Sequence, residues 1–284
     1  MRILAATDFS TRSNRALRQA GLLAQPSDGE LHIVHVVDDD QPEDMVRLET
    51  REAKRLLGEQ VSSMPELLGA QAVPRVVTGD AFDGILRTAA EIRPDLIVMG
   101  SHRKQLLLDI FTGTTIERVI RKGSFPVLMV NFEAQRVYEN VVAPIDLSEA
   151  SARALGIAHS LRLLRDKKVT FLHAFLPLGK GKMYVAGLEK ASIEDYVASE
   201  QRQATEALAS FIAANDLKSF QRALRVDEGS PMEVISRTVS ELRPDLLVLG
   251  THGRSGVVKA LIGSVTEEAL RSLEVDILAV PTVK

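Results

Sequence analysis

The chain has 284 residues, 45% hydrophobic and 26% charged, with a formal net charge of −3. That is the composition of a globular protein with a buried core, and the near-neutral balance gives no bulk attraction to nucleic acid or to an anionic membrane. There is no cysteine, which excludes disulfides, thiolate metal sites and a cysteine nucleophile.

Met1-Arg2 leads straight into a strand-like run, without the pattern of a signal peptide. No apolar run approaches the roughly 20 residues of a membrane span. A cytoplasmic location is the expectation. Short apolar runs then alternate with longer segments of helical period. Strands are expected over roughly 2–7, 31–37, 73–78, 95–99 and 126–130, and helices over 11–25, 42–63, 81–92 and 114–122. Asp38-Asp39-Asp40 reads as a turn after the second strand.

From about residue 141 the order begins again. Asp8 in Ala-Ala-Thr-Asp-Phe-Ser matches Asp146 in Ala-Pro-Ile-Asp-Leu-Ser, 138 residues on, and His35 matches His173 at the same offset. Gly100 matches Gly250 and Gly113 matches Gly263, now 150 apart. The second copy therefore carries 12 net extra residues between His173 and Gly229. Leu176 to Lys182 reads as the loop that holds them, with Lys180 and Lys182 in solvent. The copies divide as 1–134 and 135–284. Strand–helix alternation in each argues an α/β, doubly wound, five-stranded parallel sheet of Rossmann-like type, twice in tandem. Such sheets bind ligands beyond the carboxyl ends of their strands, where strand order reverses. Asp8 and Asp146 fall just past strand one, and Gly100 and Gly250 just past strand four.

The most specific pattern is Gly250-x-x-Gly253, nine residues, then Gly263-Ser264-Val265-Thr266. Glycines at a strand exit let backbone approach a ligand. A helix start presents N–H groups that suit a phosphate. Ser264 and Thr266 add hydroxyl donors, and Arg254 is the nearest cation. The first copy reads Gly100-Ser-His-Arg103, nine residues, Gly113-Thr114, so one glycine has become arginine. Ser264-x-x-Glu267 and Thr114-x-x-Glu117 also read as capping boxes. Asp8 reads equally as a turn or cap residue ahead of Ser10, whereas for Asp146, ahead of Ser148, ligand contact is the favoured reading over a cap. No Walker lysine is present. His32 and His35 are placed on opposite faces of a strand, His102 and His252 fall inside the glycine loops, and no histidine metal site is expected.

These residues resemble the universal stress proteins, as a tandem of two such domains covering nearly the whole chain, the second similar to the ATP-binding branch. The resemblance implies an adenine nucleotide across the ends of strands one and four. Pro144, Ile145 and Asp146 would sit by ribose and adenine, and Ala174 would offer backbone to the adenine edge. Leu249 and Gly250 would line base and ribose. Gly253, Gly263, Ser264, Val265 and Thr266 would hold the phosphates of ATP, with magnesium as the accompanying ion. In the first copy Asp8, Val36, Gly100, Gly113 and Thr114 hold the matching places. There Arg103 brings a guanidinium to where an anion would lie, so that site is expected to be empty, self-filled or adapted to another ligand.

Family members pair through their last strand. Pro126–Val130 and Asp276–Val280 are apolar edges that invite aggregation if left open. They are expected to pair antiparallel within the chain, as an internal pseudo-dimer about a two-fold; a further homodimer is left open. The expected function is stress-linked regulation through bound ATP. The Ser-Gly-Gly-x-Asp-Ser loop of related adenylating enzymes is missing, so no catalytic residue is assigned and at most slow ATP hydrolysis is expected. The alternative is a scaffold without ATP, or a carrier of another small ligand.

Overall fold

A computed structural model describes residues 1–25, 29–101, 114–133, 136–215, 217, 222–251 and 262–282. They fall into two compact units, the first mainly Met1–Val137 with Glu274–Lys284, the second Tyr138–Val257 with Gly263–Leu273.

The first unit runs β1 (Arg2–Ala6), α1 (Thr11–Ala24), β2 (Glu30–Val37), α2 (Glu43–Ser63), α3 (Pro65–Gly69), β3 (Val73–Thr78), α4 (Ala81–Ile92), β4 (Leu96–Gly100), α5 (Thr115–Lys122) and β5 (Val127–Val130). The strand order β3-β2-β1-β4-β5 is parallel throughout. It reverses between β1 and β4, as the motif spacing implies. The expected elements all appear with ends displaced by a residue or so; α3 is an addition. β1 and β4 are apolar runs because both faces of a parallel sheet are covered, and Ile3, Leu4, Leu96, Ile97 and Val98 are fully buried. α1 starts where Ser10 accepts from the Ser13 backbone N–H, and it buries Ala16, Leu17, Ala20, Leu23 and Ala24.

The second unit holds β6 (Asn140–Pro144), α6 (Glu149–Ser160), β7 (Lys168–Phe175), α7 (Lys180–Val185), α8 (Lys190–Ala214), β8 (Arg222–Glu228), α9 (Pro231–Leu242), β9 (Leu246–Gly250) and α10 (Ser264–Ser272). Its order, β9-β6-β7-β8, is again parallel and again puts strand one beside strand four. The extra residues are not the loop expected at 176–182. After Leu176-Pro177-Leu178-Gly179 they close into α7, and α8 follows. Nor is Lys180 left to solvent: its Nζ lies 2.6 Å from Glu228 Oε1, which raises its pKa. The Gly179 N–H donates to the Tyr196 hydroxyl at 3.0 Å. Lys182 is exposed, as expected.

The units do not divide where the repeat does. β10 (Asp276–Val280), the fifth strand of the second copy, belongs to the first unit. It pairs antiparallel with β5, in the register Ile277 to Met129, Leu278 to Leu128 and Ala279 to Val127. That is the strand pairing expected from the sequence. These six side chains are at most 1% exposed. Asp276, itself buried, fixes the end of the ladder: its Oδ1 accepts from the backbone N–H of Asn131 at 2.7 Å and of Phe132 at 3.2 Å. Asn131 Nδ2 donates back to the Val275 carbonyl at 2.6 Å.

α4 and α9 both end on an exposed arginine in the left-handed region, Arg93 at φ 48° and Arg243 at φ 44°. Only glycine adopts that conformation without strain. Arg243→Gly should therefore stabilise the second unit by about 0.5 kcal/mol, after the extra entropy that glycine loses on folding. Thermal unfolding of the two proteins checks this, and an unchanged or lowered midpoint would contradict it.

Candidate functional site: two clefts at the strand-order reversals

Beyond Pro144 the chain must turn sharply to enter α6. Leu147 takes φ 64°, and the Asp146 carboxylate makes this possible. Its Oδ1 accepts from the Ser148 N–H at 3.0 Å, the Ser148 hydroxyl at 2.5 Å and the Ser151 hydroxyl at 2.6 Å. Ser148 in turn caps α6. Asp146 is thus a brace for the turn as well as part of the cleft wall. Beside it, His173 Nδ1 lies 2.7 Å from the Ile145 carbonyl. A carbonyl can only accept, so Nδ1 carries the proton. This bond ties β7 to the exit of strand one.

The first unit repeats the device. Phe9 takes φ 61°, the Ser10 N–H donates to Asp8 Oδ1 at 3.0 Å, and His35 Nδ1 lies 2.9 Å from the Thr7 carbonyl. The Phe9 ring sits 4.3 Å from the His35 ring, centroid to centroid. Burial alone would raise the Asp8 carboxyl, but hydrogen bonds from Ser10 and Ser13 outweigh it and hold the pKa below its ordinary value.

Gly100 and Gly250 have a packing reason that the sequence did not disclose. A Cβ on Gly100 would lie 2.6 Å from the Arg12 carbonyl oxygen, and one on Gly250 would lie 3.0 Å from that of Ala150. Each glycine lets the helix after strand one close onto strand four.

The two helix starts behind these glycines differ. At α5, Thr114 and Glu117 form the expected capping box. The Glu117 N–H donates to Thr114 Oγ1 at 3.3 Å, the Thr114 N–H donates to Glu117 Oε2 at 3.1 Å, and both residues are buried. At α10 the expected box is not formed. The cap is Gly263, with no side-chain cap bond among the described residues, and Ser264 is one residue inside the helix and exposed. Gly263 can take the cap position because its own N–H is held by the Thr251 carbonyl at 2.6 Å. Glu267 pairs instead with Arg271 at 2.9 Å. Thr266 is buried, and its hydroxyl donates to the Gly250 carbonyl at 2.8 Å.

Around the second turn lies a cavity of about 430 Å³. Pro144, Ile145, Asp146, Ala174, Leu249, Gly250, Gly263, Ser264, Val265 and Thr266 all line it. Gly253 and Arg254 lie outside the described residues. The sequence reading missed the opposite wall, Pro231, Val234 and Ile235 of α9. Its signal was Gly229-Ser230-Pro231, a glycine at φ 143° followed by a capping serine and a proline in the first turn. The first cleft holds about 350 Å³ and is lined by Asp8, Val36, Gly100 and Thr114, with Ala81 and Ile85 of α4 and with Arg12 of α1. Arg103 and Gly113, like His102 and His252, lie outside the described residues.

Two parallel runs of strands, β3-β2-β1-β4-β5 and β9-β6-β7-β8, each with a cleft at its reversal of strand order, define a tandem doubly wound α/β protein whose clefts are of small-molecule size. The chain belongs to the universal stress protein family, whose family model matches residues 1–131 and 137–281. It is 23% identical to universal stress protein Rv2005c of Mycobacterium tuberculosis over 301 aligned positions, covering 97% of this chain and 95% of that one. It is 25% identical to universal stress protein MJ0577 of Methanocaldococcus jannaschii over 160 positions, covering 51% of this chain and 95% of that one. A crystal structure of a universal stress protein from Archaeoglobus fulgidus superposes with a TM-score of 0.71 at 18% identity, covering 99% of this chain and 98% of that one. Among the described residues, no helix is long and apolar enough to cross a membrane.

Proposed function

We propose that the second cleft binds ATP and that the protein acts as a nucleotide-dependent regulator in stress responses rather than as a dedicated enzyme. The observation that carries this reading is the start of α10. In the first copy the same helix start is closed by its own threonine and glutamate, whereas in the second no side chain among the described residues caps it and Ser264 is exposed. An uncapped helix start facing a cavity suits a phosphate. Asp146, Ala174 and Leu249 on the same cavity suit ribose and base. Gly253 and Arg254 complete the phosphate side in this reading.

Among the described residues no three His, Asp or Glu side chains are grouped to hold a metal. Magnesium would therefore arrive on the triphosphate, which is its usual mode of binding. The first cleft is the altered one, and the protein works in the cytoplasm.

The test is to release ligand from freshly purified protein, identify it by mass and count it. ATP at about one per chain is the expected result. Gly263→Val should lower ATP affinity about a hundredfold, since a branched side chain at the cap would stand where phosphate meets backbone. Unchanged affinity would refute the placement of the phosphates. Two ATP per chain would refute the difference between the clefts. No ATP on isolation or titration would favour a scaffold.

A further inference from the structure

We infer that the first cleft takes a nucleoside monophosphate, and that Arg12 is the residue that reads its single phosphate. The inference rests on the nucleotide reading of the clefts and concerns the half of the molecule whose phosphate motif is altered.

The base and ribose side of the cleft is retained. Asp8, Val36 and Gly100 occupy the places of Asp146, Ala174 and Gly250 around a cavity of about 350 Å³. The phosphate side is not. The Thr114 and Glu117 side chains take each other's backbone N–H groups at the start of α5, and the Glu117 carboxyl is buried there. A polyphosphate running toward α5 would find the Thr114 and Glu117 N–H groups already taken.

A cation has been gained on the other wall. Arg12, in the first turn of α1, lines the first cleft where the second copy has Ala150. It makes no ion pair among the described residues. The nearby Arg118 is committed, with its guanidinium over the Phe82 ring at 3.6 Å and 3.2 Å from Asp80. The close approach of Gly100 to the Arg12 backbone places this arginine at the exit of β4, next to the ribose side. A guanidinium there reaches the first phosphate after the ribose and offers it a bidentate contact. The second and third phosphates would find the first N–H groups of α5 already taken by Thr114 and Glu117.

The experiment uses the full chain and three probes, adenosine, AMP and ATP. In Gly263→Val, which removes phosphate binding at the second cleft but leaves its base and ribose walls, calorimetry should show one site that binds AMP more tightly than adenosine or ATP, beside a second that does not distinguish the three. Arg12→Ala should weaken AMP about tenfold or more and leave adenosine unchanged, and Arg12→Lys should recover part of the loss. In case Gly263→Val folds poorly, 8-azido-AMP crosslinked to the unmodified protein should label peptides around residues 1–15. Equal loss of AMP and adenosine in Arg12→Ala, or label confined to second-cleft peptides, would overturn the assignment. Loss of ATP from the second cleft alone would refute the proposed function without touching this one.

Discussion

Leu278→Asp should destabilise the first unit, although residue 278 lies near the far end of the chain. Leu278 is fully buried and faces the equally buried Leu128 across the antiparallel β5–β10 pair. Removing such a side chain costs about 2–5 kcal/mol, and a carboxyl group left without a partner among apolar neighbours adds more. The expected loss is at least about 4 kcal/mol, a large part of the stability of an ordinary domain. Hydrogen exchange read by mass spectrometry should show β1, β4 and β5 losing protection. Leu178→Asp is the control, because Leu178 is 82% exposed and the same change there should stay within about 0.5 kcal/mol. Equal stability of the two variants would mean that β10 does not complete the first sheet.

Gly100→Ala should be the second large effect, and it separates two explanations of one motif. If Gly100 and Gly250 serve ligand approach, alanine costs affinity and spares stability. If they serve packing, alanine costs stability in the order of crowding. At position 100 the added Cβ would stand 2.6 Å from a backbone carbonyl, which cannot swing aside as a side chain can; at 250 the distance is 3.0 Å. Gly100→Ala should therefore cost about 3 kcal/mol and Gly250→Ala about 1 kcal/mol, the range of overpacked cores. Chemical denaturation of both variants without nucleotide is the measurement. The reverse ranking, or no loss at either position, would return both glycines to a purely ligand-facing role.

Much of this molecule was legible in its sequence because two copies of one pattern check each other. The equal offsets of Asp8 to Asp146 and His35 to His173 located strands one and two, and the apolar runs before Gly100 and Gly250 located strand four. The residues assigned to the second cleft from Pro144 to Thr266 meet on one cavity wherever they are described. What stayed hidden depends on contacts between elements distant in sequence. Ser264-Val-Thr-Glu267 has the spacing of a capping box, yet the helix starts one residue earlier, because the Thr251 carbonyl holds the Gly263 N–H. The α9 wall contains no polar residue to draw attention to it. Lys180 looked like a solvated loop charge, and only the end of β8 brings Glu228 to it.

The place of β10 has a consequence for how the chain is made. During synthesis β1 to β5 leave the ribosome first, and domains generally fold in that order. Here the first sheet must wait with an open apolar edge at β5 until Asp276–Val280 has been translated, after the whole second copy has emerged. The earliest half of the protein is thus the last to be finished. A stop codon before Asp276 would leave the β5 edge uncovered, and only chains that carry β10 would escape the exposed edge that quality control recognises.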